Sequence, residues 1–114
     1  MVQALGGTLI AQSATTERRI AVADYFQGLY QTALNPGELL TAVELPMASA
    51  DQCFHFSELS RRRGDYGMVG LACAGTLQGD RLSAVRLSFL AVGDGPVLAT
   101  HAMQVLEGQT LDDQ

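Results

Sequence analysis

The densest group of chemically capable side chains lies in residues 60–70, which read "SRRRGDYGMVG". The chain has seven basic residues, all of them arginine, and three of these stand together at positions 61–63. Gly64, Asp65 and Tyr66 follow directly. The other arginines are scattered among 12 acidic residues, so this run is where we expect a locally positive potential.

These residue types together could bind an anionic, aromatic ligand. A tyrosine ring can stack on a planar heterocycle, an ionised aspartate can accept its N–H or O–H hydrogens, and arginines can hold phosphates. That combination suits a flavin nucleotide. In the competing interpretation the segment is a solvated turn, in which Asp65 caps the backbone and Gly64 and Gly67 supply unusual backbone angles. The residues alone leave both interpretations open.

Other kinds of site are poorly supported. The glycines after the arginine run do not spell GxGxxG and do not join a strand to a crossover helix, so a Rossmann phosphate loop is not predicted. Cys53 and Cys73 lack a CxxC spacing or a histidine-rich neighbourhood, which argues against zinc and iron–sulfur sites. His55 and His101 stand alone. We therefore expect no catalytic residue and no metal site in this chain.

Composition excludes two further classes of function. With 114 residues, 47% of them hydrophobic, the chain can build the core of one compact domain. A net charge of -5 argues against nucleic acid and against an anionic membrane surface as partners. The uncharged first 16 residues have no basic start and include two glycines, so neither a signal peptide nor a membrane span is expected. A cytoplasmic location follows as an expectation.

The first half of the chain reads as short β-strands and turns. Residues 7–13 and 17–23 predict a β-hairpin. Asp24 precedes "YFQGLY" and is predicted to cap a short helix there. "LNPG" predicts a turn with Gly37 at positive φ, and the alternation in "ELLTAVELP" predicts a strand that ends at Pro46.

The second half reads as an antiparallel sheet followed by a helix. "CFHFSEL" alternates as a strand, and residues 71–92 predict a hairpin around Gly79 and Asp80. The spacing of apolar residues after 94 predicts a helix with Pro96 in its first turn and Gly108 at its end. Residues 45–52 have the composition of a linker.

Several stretches together resemble the C-terminal part of the FAD-binding (medium) subunit of the molybdenum hydroxylases. They are "ERRIAVADYFQGLYQTALNPGELLTAVELP", "FHFSELSRRRGDYGMVG" and "VGDGPVLATHAMQVLEGQTL", and the most specific marks are "TALNPGELL" and "RRRGDY". This family includes the carbon monoxide dehydrogenase flavoproteins and the flavin segment of the xanthine dehydrogenases.

The resemblance implies an α+β fold, in which an antiparallel sheet of three to four strands carries helices on one face and an N-terminal β-hairpin forms an arm. It further implies that residues 1–46 are the end of the FAD-binding domain. Residues 47–114 would then be a CO dehydrogenase flavoprotein C-terminal-like domain that ends before the later helices of its relatives.

The implied function is electron transfer through FAD. In the family, electrons from a molybdopterin centre cross iron–sulfur clusters, reach FAD on this subunit and pass to an external acceptor. By motif position, Tyr66 would lie against the isoalloxazine ring and Asp65 would hydrogen-bond near it, while Arg62 and Arg63 would line the same loop. The implied partners are the iron–sulfur and molybdopterin subunits.

A second hypothesis remains beside the first. Without the phosphate-binding domain, the chain would be a part of an oxidoreductase that is inactive alone, or a non-catalytic module without bound cofactor. An incompletely covered sheet would expose apolar surface, and docking onto another subunit or homo-oligomerisation would cover it.

Overall fold

The computed structural model describes residues 1–111, which form a three-stranded and then a four-stranded β-sheet, with a small β-hairpin inserted between two strands of the first sheet. The first part of the chain contains the elements α1 (Val2–Leu5), β1 (Thr8–Gln12), β2 (Glu17–Ala21), α2 (Val22–Tyr25), β3 (Phe26–Gly28), β4 (Gln31–Thr32) and β5 (Leu39–Glu44). The second part contains β6 (Gln52–Ser60), β7 (Gly67–Gln78), β8 (Arg81–Leu90), β9 (Val97–Leu98) and α3 (Thr100–Leu106).

The predicted N-terminal hairpin is confirmed. β1 and β2 pair antiparallel, and β5 pairs antiparallel with the other side of β1, so β1 is the central strand of three. This position fits the apolar sequence of β1. The buried cluster of this part contains Leu9, Ala11, Ile20, Val22 and Tyr25.

The predicted helix after Asp24 is wrong. The helical turn begins two residues earlier, at Val22, and Asp24 lies inside it without a capping hydrogen bond, because Ala21 is the N-cap residue. Tyr25 is buried in the core, and the chain extends immediately after it, since Phe26 pairs with Thr32 in a second antiparallel ladder. Burial of the tyrosine and this pairing outweigh the local capping preference.

The predicted turn before β5 is confirmed. Gly37 has φ 83°, in the left-handed region that favours glycine, and the amide of Glu38 donates to the carbonyl of Asn35 over 3.0 Å. The Glu38 carboxylate returns to the turn by accepting the Asn35 amide hydrogen at 2.7 Å.

The larger sheet confirms the predicted α+β class. It has four antiparallel strands in the order β6-β7-β8-β9. The β7–β8 hairpin turns at Gly79, which has φ 69°, as expected. Ala84 also has positive φ, 50°, next to the irregularity in the β7–β8 register.

The predicted start of the last helix at Pro96 is wrong. Val97 and Leu98 instead form β9, which pairs with Phe89 and Ser88 of β8, and the helix begins at Thr100. Adding a strand to the free edge of β8 satisfies backbone groups that a helical turn would leave unpaired. Gly108, with φ 77°, follows the end of the helix as expected.

Side chains of β8 contact α3 in the second part of the chain and α1 in the first part. Leu106 of α3 shares a cavity with Val85 and Leu87 on one face. On β8, Arg86 reaches α1, where it donates to the carbonyl oxygens of Ala4 and Gln3 over 2.9 Å each. Arg86 therefore joins the first part of the chain to the larger sheet.

The larger sheet is sparsely covered within residues 1–111. Its buried apolar side chains are few, and large ones such as Phe54, Phe56 and Leu59 are about half exposed or more. None of the helices in the described residues is both long and apolar enough to cross a membrane.

Candidate functional site

The candidate site is the loop of residues 61–66, which joins β6 to β7, two neighbouring strands of the larger sheet. β6 and β7 are paired over nine residues of β6, and the pairing ends with Ser60 opposite Gly67. The loop is therefore held at both ends by a regular ladder. Its own backbone is closed by a bond from the Asp65 amide to the Arg62 carbonyl at 3.1 Å.

Two further interactions shape the loop. The hydroxyl of Ser60 donates to the carbonyl of Arg62 over 3.0 Å, and Gly64 has φ 82°, a conformation that costs glycine little. The Asp65 carboxylate accepts the backbone N–H of Tyr66 at 2.9 Å. This bond uses one oxygen of the carboxylate, Oδ1, and leaves Oδ2 to accept a hydrogen from elsewhere.

Tyr66 is the aromatic side chain of this loop and could stack on a ligand. Its exposed fraction is 95%, so its ring packs against very little of the chain itself. A tyrosine normally buries much of its apolar ring, so a ring this exposed is available to stack on a ligand. Tyr30 is equally exposed in a different turn, and what distinguishes Tyr66 is its place beside Asp65 and the three arginines.

The three arginines of the loop are exposed as well. Within residues 1–111 the ion pairs are Arg18–Glu38 and Arg19–Glu44, and none involves Arg61, Arg62 or Arg63. Their guanidinium groups are thus available to an anion, with several N–H donors each.

The chemistry of the loop fits one wall of a flavin site. It offers a free aromatic ring, one free carboxylate oxygen and unpaired guanidinium groups, which are the contacts that a ring system with a phosphate-bearing tail can use. Three cavities within residues 1–111 are lined by residues outside this loop. All four predicted residues lie together, as their adjacency in sequence requires.

A cavity lies at the junction of the two parts of the chain. It has a volume of about 490 Å³, and its mostly apolar lining includes Met1, Leu45, Pro46, Phe54 and Ala74. Sequence analysis missed it, because it is formed by segments distant in sequence.

The cysteines and histidines form no metal site within residues 1–111. Cys73 lies opposite His55 in the β6–β7 ladder, and burial raises the pKa of its thiol. The Cys53 thiol donates to the carbonyl of Gly75 at 3.5 Å.

Family models match both parts of the chain. Residues 54–114 match the family model of the CO dehydrogenase flavoprotein C-terminal domain, and residues 1–48 match that of the FAD binding domain in molybdopterin dehydrogenase. The chain belongs to the CO dehydrogenase flavoprotein C-terminal domain family.

Among its relatives are the carbon monoxide dehydrogenase medium chain of Afipia carboxidovorans and the glyceraldehyde dehydrogenase medium chain of Sulfolobus acidocaldarius. The first is 33% identical over 98% of this chain and 39% of the relative, and the second is 31% identical over 99% and 40%. The chain therefore spans about two fifths of their length.

Solved structures show the same fold. Cu,Mo-CO dehydrogenase matches with a TM-score of 0.90 and 33% identity over 98% of this chain and 39% of that one. Quinoline 2-oxidoreductase from Pseudomonas putida matches with a TM-score of 0.86 and 33% identity, over 97% and 38%. These matches confirm the family resemblance read from the sequence.

Proposed function

We propose that this chain is part of the FAD-binding medium subunit of a molybdenum hydroxylase and supplies one wall of its flavin site. The observation that carries the proposal is the 95% exposure of Tyr66 on a loop whose arginines have no ion-pair partner within residues 1–111. The relatives of this chain that are named as dehydrogenase medium chains also support the proposal.

In this function each loop residue has a distinct task. Tyr66 covers one side of the isoalloxazine ring and limits the access of water to it. Asp65 accepts a hydrogen from the flavin region through Oδ2, while Oδ1 keeps the Tyr66 backbone in place. Arg62 and Arg63 make the surroundings positive, which favours anionic groups. FAD, when bound, supplies the electron-accepting and electron-donating chemistry.

The assembly follows from the same family. We propose that an iron–sulfur subunit delivers electrons from a molybdopterin subunit, and that an external acceptor receives them. We also propose residues 1–46 as the end of the FAD-binding domain and residues 47–114 as the C-terminal-like domain, a division that the ranges 1–48 and 54–114 of the family matches support. A cytoplasmic location is part of this proposal.

The test compares two tyrosines of nearly equal exposure. The chain is co-expressed with the N-terminal remainder of the Afipia carboxidovorans medium chain, and flavin binding is titrated for wild type, Tyr66→Ala, Tyr66→Phe and Tyr30→Ala. Tyr30 is 98% exposed and lies outside the loop, so it is the matched control.

Loss of one stacking contact is worth about 1 kcal/mol, so Tyr66→Ala should weaken flavin binding roughly fivefold and increase quenching of the flavin by an aqueous quencher. Tyr66→Phe retains the ring and should bind like wild type, as should Tyr30→Ala. Equal flavin affinity and equal quenching in Tyr66→Ala and Tyr30→Ala would refute the role of Tyr66.

A second candidate function is a non-catalytic interaction or oligomerisation module without bound cofactor. The half-exposed Phe54 and Phe56 on the larger sheet favour it. A complemented protein that stays colourless and binds no flavin in the titration would favour this candidate over the flavin site.

A further inference from the structure

Strand β6 presents a long unpaired edge. It is the end strand of the larger sheet, and within residues 1–111 no strand pairs with its outer side. Natural edge strands are usually short or protected by lysine, proline or inward-pointing charge. β6 has nine residues, contains neither lysine nor proline, and has Glu58 as its only charged residue.

The side chains of this strand are exposed as well as its backbone. Phe54 is 47% exposed, Phe56 is 45% and Leu59 is 62%. An apolar strand with a free edge is suited to pairing with another strand, because main-chain hydrogen bonds and side-chain burial then form together.

We propose that two copies of this chain associate through their β6 edges, antiparallel, about a two-fold axis that passes next to Phe56. Phe56 is the midpoint of Gln52–Ser60, so this register uses the whole strand and joins two four-stranded sheets into one. It also sets the two Phe56 rings directly opposite each other, a favourable cross-strand pair.

Charge complementarity specifies this register. Asp51 directly precedes β6 and Arg61 directly follows it. The two-fold axis places Asp51 of each copy opposite Arg61 of the other copy. Both are exposed, and neither has an ion pair within residues 1–111. Two equivalent ion pairs therefore form at the ends of the ladder, and Glu58 faces Phe54 rather than another acid.

Neighbouring registers lose these pairs. A two-residue shift that centres the axis on Ser57 sets Arg61 opposite Cys53, and a shift that centres it on His55 sets Asp51 opposite Leu59 and the two imidazoles opposite each other. Neither alternative uses all nine residues of β6.

Strand β5, at one edge of the smaller sheet, is less suited to self-pairing. A pairing centred on Thr41 would set Glu38 opposite Glu44, which are like charges, and Pro46 follows close behind the strand. The two glutamates are moreover engaged with Arg18 and Arg19 of the same chain.

The first experiment measures the mass of the 114-residue chain by sedimentation equilibrium over a range of concentrations. A dimer has twice the 12.1 kDa of the chain. Arg61→Glu and Asp51→Arg each create two like-charge contacts and should raise the dimer dissociation constant at least about tenfold. The double variant exchanges the charges and should restore dimerisation to near the wild-type level.

Arg62→Glu is the matched control. It changes the same charge in the same arginine run, but Arg62 lies opposite Ala50 in this register, so its effect should be much smaller than that of Arg61→Glu. Far-ultraviolet circular dichroism of every variant verifies that the strands still form.

A cross-link tests the register independently. In a chain with both native cysteines replaced by serine, Phe56→Cys should form an intermolecular disulfide under mild oxidation, because the two new thiols face each other across the axis. Ser57→Cys, one residue away and opposite His55, should cross-link far less.

A monomer at all concentrations would overturn the proposal. So would a dimer that the charge exchange does not rescue, or a dimer in which Ser57→Cys cross-links as readily as Phe56→Cys. None of these measurements depends on flavin, so the outcome is separate from that of the proposed function.

Discussion

Arg86 should be the side chain that most strongly couples the first part of the chain to the larger sheet. Its guanidinium donates to the carbonyl oxygens of Ala4 and Gln3 over 2.9 Å, and the Gln3 side chain is itself buried. A hydrogen bond from a charged group contributes about 1.5–3 kcal/mol. Because the arginine is only partly buried, we expect Arg86→Met to lower the free energy of unfolding by about 2–3 kcal/mol in total.

Urea unfolding followed by circular dichroism measures this loss. For a chain of this size a slope of about 1–3 kcal/mol per molar urea converts this loss to a midpoint lower by roughly 0.7–3 M. Arg86→Lys should lie between wild type and Arg86→Met, since an ammonium cannot present the planar fork that reaches both carbonyls.

Arg81→Met is the control for loss of an arginine. Arg81 is exposed and donates one bond, to the Gly108 carbonyl at 3.1 Å, so its replacement should cost less than about 1 kcal/mol. If the free energy of unfolding of Arg86→Met were within about 0.5 kcal/mol of the wild-type value, the range of an ordinary surface substitution, the Arg86 contacts would not couple the two parts of the chain.

Three further outcomes follow from local contacts. The hydrogen bonds from Arg18 and from the Asn35 backbone hold the pKa of Glu38 at about 2, below its usual 4.5. They therefore stabilise the fold above pH 4.5, and this stabilisation is lost as the pH falls towards 2. The difference in unfolding free energy between wild type and Glu38→Gln should shrink over that range, and a constant difference would contradict the assignment. Gly37→Ala at φ 83° should destabilise by about 1 kcal/mol in urea, and no change would mean that the turn relaxes at no cost. Iodoacetamide should modify exposed Cys53 before Cys73, whose pKa is raised by burial, and peptide mass mapping that finds the reverse order would be inconsistent with the structure.

The elements that the sequence predicts correctly are those with local determinants. The turn at Gly37 and the hairpin at Gly79 each depend on a residue that tolerates positive φ, and both are present with that conformation. The alternation of residues 52–60 likewise predicts β6, since a period of two is a property of the strand alone.

The wrong predictions share one cause, because each depended on a local signal that a distant contact overrides. Asp24 could cap a helix, but the burial of Tyr25 and the pairing of Phe26 with Thr32 end the helical turn at once. Pro96 could open a helix, but the free edge of β8 takes Val97 and Leu98 as a strand first. Neither competing contact can be seen in the nearby sequence.

The candidate loop can be predicted from the sequence because its residues are adjacent. The contacts that join the two parts of the chain cannot be predicted in this way. Arg86 reads as a polar position on β8, and nothing near it indicates that its partners are the carbonyls of Ala4 and Gln3, about eighty residues away. Backbone acceptors have no sequence signature, so a tether of this kind becomes visible only in the fold.

The two proposals share one loop but use different ends of it. Arg61 directly follows β6 and belongs to the strand edge, whereas Tyr66 directly precedes β7 and is separated from Arg61 by the backbone bond between Asp65 and Arg62. If the ends act separately, Arg61→Glu should change self-association and leave flavin affinity unaltered, and Tyr66→Ala should do the opposite. If each substitution changed both properties, pairing of the β6 edge would have to reshape the loop, and the flavin wall would then exist only in one state of association.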